Sequence, residues 1–69
     1  MAYFKRIELL GDLGEMKINL DNIISVSCYT DLQQNKKVVS IICCNGSVTD
    51  LVEGVHILDA EAVFNKFPS

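Results

Sequence analysis

The dipeptide Asn45-Gly46 lies between "KVVSIICC" and "SVTDLV", two runs rich in β-branched residues. A type I′ turn needs positive φ at both central residues, which asparagine tolerates and glycine adopts freely. Asn-Gly between two β-forming runs is therefore a strong hairpin signal. A two-residue turn here would set Cys44 opposite Ser47, Cys43 opposite Val48, Ile42 opposite Thr49 and Ile41 opposite Asp50. Successive side chains on a strand point to opposite faces, so Cys43 and Cys44 would not act together. The adjacent cysteines read as part of a turn, and as three packed, inert thiols with Cys28, because no electropositive setting surrounds them.

The hairpin commits the second half of the chain to antiparallel sheet, and the first half follows the same period. "YFKRIELL" places Tyr3, Ile7 and Leu9 on one side, and "GDLGE" turns the chain. In "MKINL", Met16, Ile18 and Leu20 alternate with Lys17 and Asn19. Asp21-Asn22 breaks or bends the path, after which Ile24, Val26 and Cys28 are expected inside and Ser25 and Ser27 outside. "DLQQNK" forms a polar loop. The first hairpin strand is apolar on both faces, with Val39 and Ile41 on one and Val38 and Ile42 on the other. It needs cover on each, the helix on one and a second subunit on the other.

At the C-terminus Asp59 can cap a short helix, with Leu58 and Val63 as its hydrophobic staple. Ala60, Val63, Phe64 and Phe67 form its apolar stripe and Pro68 its stop. The pattern predicts strands over about 3–10, 15–20, 22–30, 37–44 and 47–53 and a helix over about 59–67. The expected fold is mainly β (α+β): a five-stranded antiparallel meander or small barrel with one C-terminal helix, making a single small domain over residues 1–69.

Sixty-nine residues bury a modest share of their surface, and with 49% hydrophobic residues some of that surface calls for a partner. No apolar run reaches the ~18 residues of a membrane span, and "MAYFKRIELL" lacks a secretory core. An odd number of cysteines does not make a disulfide framework, and a soluble, cytoplasmic chain is expected, with no membrane partner. Through residue 45 five basic and five acidic groups balance. The whole net charge of −3 comes after Gly46, where Asp50, Glu53, Asp59 and Glu61 face Lys66. Nucleic acid is disfavoured, because Lys36-Lys37 and Lys5-Arg6 are the only basic pairs and read as solvated strand ends.

Catalysis finds no motif among Cys43, Cys44, His56, Asp50 and Glu53. No catalytic, cofactor-binding or metal site is assigned, and no cofactor is expected. Asp50, Glu53 and His56 recur every third residue, but on a strand they would alternate faces and Gly54 would interrupt a helix. His56 is expected at the junction of sheet and helix. Asp50, opposite Ile41 on an apolar face, reads as an edge-strand charge that blocks further pairing, with a polar anchor in a binding site as the alternative.

Laid end to end, "IELLGDLGEMKIN", "DNIISV", "VSIICCNGSVTDLVEG" and "AEAVFNKF" resemble the small FlbD-like flagellar and swarming-motility proteins over most of the chain. The "YTDLQQNKK" loop and the cysteines depart from that pattern. The resemblance implies the same succession of strands, "NG" turn and terminal helix. Taken together, the residues point away from an enzyme. They point toward an intracellular interaction or regulatory module that binds another protein as a homo-oligomer. The alternative is a protein that binds or sequesters a small ligand, a nucleotide or metabolite, in a pocket between subunits.

Overall fold

The structure is a computed structural model and describes residues 4–67; Tyr3 and Pro68, named above, lie outside the described residues. Five strands and one helix follow in order: β1 (Phe4–Glu8), β2 (Glu15–Asn19), β3 (Ile23–Asp31), β4 (Lys36–Cys43), β5 (Val48–Val52) and α1 (Ala60–Phe64). All strand pairs are antiparallel, as the alternation predicts. They form two sheets, β1-β2 and β3-β4-β5, and no closed barrel.

Between β2 and β3, where Asp21-Asn22 marks a break or bend in the sequence, the chain makes a 3₁₀ turn at Leu20–Asn22. The Asn19 side chain accepts the Asp21 N–H at 3.0 Å, and the Ile23 N–H bonds back to the Leu20 carbonyl. These local bonds carry the chain around a corner into the second sheet, where a hairpin would have kept one sheet continuous.

The two sheets and the helix enclose one core. β1-β2 contributes Ile7 and Ile18; the inner face of the larger sheet contributes Val39, Ile41 and Leu51; the C-terminal segment contributes Ile57, Ala60, Val63 and Phe67. The predicted helical stripe is thus the packed face, with Phe64 half-buried beside it. Asp59 caps the helix as expected, its carboxylate accepting the Glu61 and Ala62 N–H groups at 3.1 and 3.3 Å. The expected staple is a correction: Leu58 is 80% exposed, and Ile57, one residue earlier, is the fully buried residue that ties the chain to the core before the helix. The helix is also shorter than 59–67, since after Phe64 the Lys66 and Phe67 N–H groups bond three residues back, to Val63 and Phe64.

Two register details overturn expectations about which side chains face where. In the β4–β5 turn the Cys43 N–H donates to the Ser47 carbonyl and the Gly46 N–H to the Cys43 carbonyl, both at 2.9 Å. The loop therefore has three residues, 44–46. Gly46 sits at φ 88° and Asn45 is not at positive φ. This is a type I turn closed by a glycine bulge, where a two-residue I′ turn was expected. The Asn45 side chain favours it by accepting both the Ser47 N–H (2.9 Å) and hydroxyl (2.8 Å). The pairing becomes Ile42↔Val48, Ile41↔Thr49 and Ser40↔Asp50. A slip of one residue changes the face of every side chain in the partner strand.

The second detail is a β-bulge between Ile23 and Ser25. It puts Ile23 opposite Cys43 on the inner side and leaves Ile24, expected inside, 66% exposed.

Candidate functional site

Directly opposed residues share a face, so the register lays out both sides of the three-stranded sheet rung by rung. The inner rungs are Cys28-Val39-Leu51 and Val26-Ile41-Thr49, covered by the helix and the β1-β2 hairpin. The outer rungs are Tyr29-Val38-Val52, then Ser27-Ser40-Asp50, then Ser25-Ile42-Val48, with Asp31 opposite Lys36 at the end.

None of these outer-rung residues belongs to the core cluster. Tyr29 and Val48 are 47% and 58% exposed there, while Val38, opposite Tyr29 and Val52, is buried. The result is two apolar rungs separated by a hydroxyl and carboxylate rung.

Asp50 therefore lies on the edge strand as expected, but opposite Ser40 and not Ile41. Its apparent intrusion into an apolar face disappears with the corrected register, because it belongs to the polar rung of the outer side.

His56 sits at the junction of sheet and helix. Its Nδ1 accepts the Val52 N–H at 3.0 Å, and the Val52 carbonyl accepts the His56 N–H at 2.8 Å. These bonds cap the free edge of β5 where it leaves the sheet, while the His56 carbonyl accepts the Leu10 N–H and ties the first hairpin to the same corner. Glu53 does not converge with His56 or Asp50 on a common point. Its Oε2 accepts the Ala60 N–H at 3.2 Å, adding a second carboxylate to the helix start. Nothing local in the sequence signals that contact, which spans seven residues. Among the described residues no group of three or more His, Cys, Asp or Glu side chains is placed to hold a metal ion.

One residue of each basic pair is engaged. Lys37 donates to Glu61 Oε1, and Arg6 Nε lies 3.1 Å from Glu15 Oε2. The hydrogen bond to Glu61, then its charge, holds the Lys37 ammonium above its ordinary pKa. Replacing Glu61 by glutamine is expected to return the Lys37 titration, followed by NMR of the side chain, toward the ordinary lysine value. A pKa raised on folding means that the pair's contribution is fully present below the unfolded lysine value. It fades as pH rises through the raised one. Both side chains are well exposed, so the effect on stability is small.

The three cysteines are free. Cys28 and Cys43 are half-buried on the inner side. Cys44 is exposed in the turn, which corrects the expectation of three packed thiols. Its N–H donates to the Asn22 carbonyl at 2.7 Å, pinning the turn to the start of β3. A thiol reagent at neutral pH is expected to modify Cys44 first, with Cys28 and Cys43 following only slowly or on unfolding, as read by peptide mass mapping. Equal rates at all three would contradict this packing.

A cleft of about 320 Å³ lies between β2 and this turn, lined by residues 16–19 on one wall and by Asn22, residues 43–45, Ser47 and Thr49 on the other. The polar loop after β3 stays solvated: Asp31 Oδ1 accepts the Gln33 and Gln34 N–H groups, and Leu32 is 87% exposed.

No protein family, curated protein or solved structure matches this chain. No helix among the described residues is long and apolar enough to cross a membrane.

Proposed function

We propose that this chain is a non-catalytic, cytoplasmic interaction module that self-associates through the outer face of β3-β4-β5 and in that state binds another protein. The observation that carries the reading is the pair of apolar rungs, Tyr29-Val38-Val52 and Ile42-Val48, on a sheet face that lies outside the core cluster and leaves Tyr29 and Val48 exposed. A sheet with one face on a core and the other wet normally shows polar outward positions. Here valine, isoleucine and tyrosine occupy them, as they do where a second surface completes the layer. The polar rung between them, Ser27-Ser40-Asp50, supplies hydroxyls and a carboxylate to orient that surface.

A face three strands wide and about 17 Å long is small, so association in the micromolar range is expected rather than an obligate interface. A motility role of the FlbD-like kind is the narrower form of this proposal.

Native mass spectrometry of protein taken gently from its own host tests the reading. A bare oligomer, or one carrying a host polypeptide, supports it, and a flagellar polypeptide supports the narrower form. An assembly carrying small-molecule mass instead would overturn it in favour of ligand capture between subunits.

A further inference from the structure

The free edge of β2 has a property that the outer sheet face lacks. In an antiparallel pair, alternate residues turn their N–H and C=O groups toward the partner and away from it. The Leu9 N–H donates to the Gly14 carbonyl at 2.9 Å, which marks that pair as bonded. By alternation Ile7↔Met16 and Lys5↔Ile18 are bonded too, whereas Arg6↔Lys17 and Phe4↔Asn19 are not. The backbone groups of Lys17 and Asn19 therefore point away from β1. Among the described residues Lys17 has no backbone partner outside the β1-β2 pair, whereas the carbonyl of Asn19 is taken by the 3₁₀ turn that Asn19 caps, which leaves its N–H on the edge.

The cleft runs along this edge. Four successive β2 residues line it, from both faces of the strand, which places the strand's edge and not one of its faces at the wall. Across it stand Asn22, Asn45, Ser47 and Thr49.

Unpaired donors and acceptors at strand spacing are matched by an extended polypeptide, which offers both at the same repeat. Charge narrows the choice further. Lys17 is the only Lys, Arg, Asp or Glu among the residues lining the cleft, and it also borders an adjoining hollow with Phe4 and Arg6. An edge lysine discourages pairing with an apolar strand, which would desolvate the ammonium, and with another copy of β2, which would oppose it with a like charge, and it attracts an acidic strand.

We propose that the β2 edge is a second binding site, which takes an extended acidic segment of a partner protein by strand addition, its backbone pairing with both backbone groups of Lys17 and with the Asn19 N–H. This names the chemistry of the partner in the interaction-module reading and rests on that reading, but it does not require self-association.

Panning a displayed library of random short peptides against the full chain tests it, followed by amide exchange with the selected peptide in synthetic form. Enrichment of acidic, alternating sequences is expected, with slowed exchange at the Lys17 and Asn19 amides. Lys17→Glu should weaken the selected peptide by at least about tenfold, and Lys17→Gln by less. Selection of neutral or basic peptides, no enrichment, or binding that leaves both amides unchanged would overturn the inference. So would pairing of β2 with a second copy of itself. The same panning on a Tyr29→Lys/Val48→Lys chain separates the two sites: acidic peptides retained there while the native chain stays monomeric would overturn self-association alone.

Discussion

Ile41→Ala is expected to leave the chain largely unfolded at ordinary temperatures, or to lower its melting temperature by about 10–25 °C. Ile41 is 1% exposed at the centre of β4, opposed by Val26 and Thr49 on the inner side of the sheet and joined to the core that includes Ile57 and Val63. Truncating such a side chain removes its transfer free energy and leaves a cavity, at a cost of about 2–5 kcal/mol. A chain of 69 residues has a total stability of only about 3–10 kcal/mol. The neighbouring substitution provides the contrast, because Ile42 is half-buried on the outer face and Ile42→Ala should cost clearly less. Chemical denaturation of both variants checks this. Equal losses would contradict the assignment of Ile41 to the core side of β4 and of Ile42 to its outer side.

The second large effect is on assembly. Tyr29→Lys combined with Val48→Lys places two ammonium groups on the outer apolar rungs, at positions that are already 47% and 58% exposed in the isolated chain. Folding should be little affected, by about 1 kcal/mol or less, because lysine stems can lie along apolar surface while their heads stay in water. Self-association should weaken by at least about tenfold, since like charges meet across any interface built from two such faces. Circular dichroism melts and sedimentation velocity read the two effects separately. Loss of folding together with assembly would mean that the outer face supports the monomer itself.

Much of this architecture is legible in the residues, and the misses have definite causes. Alternation locates all five strands, and the Asp59 cap and the Ala60, Val63, Phe64, Phe67 stripe locate the helix, because each is a local signal read by short-range geometry. The turn type at Asn45-Gly46 was decided by an asparagine side chain bonding to Ser47 and by the Cys44 N–H reaching Asn22, and the second of these is a tertiary contact. That one-residue difference misplaced Asp50 and hid the outer rungs.

The bulge beside Ile24 did the same for β3, since nothing in "DNIISV" distinguishes which isoleucine turns inward. The split into two sheets follows from the Asn19 bond at the 3₁₀ turn, which the sequence shows only as a break. For the candidate sites, the apolar residues on both faces of β4 are legible in the sequence. The free edge of β2 is visible only once its hydrogen-bond parity is known.

Sedimentation velocity of the unmodified chain across the micromolar range tests the proposed function most directly. A species that grows from monomer to dimer or higher oligomer with concentration is the predicted result. A monomer throughout that range would contradict it.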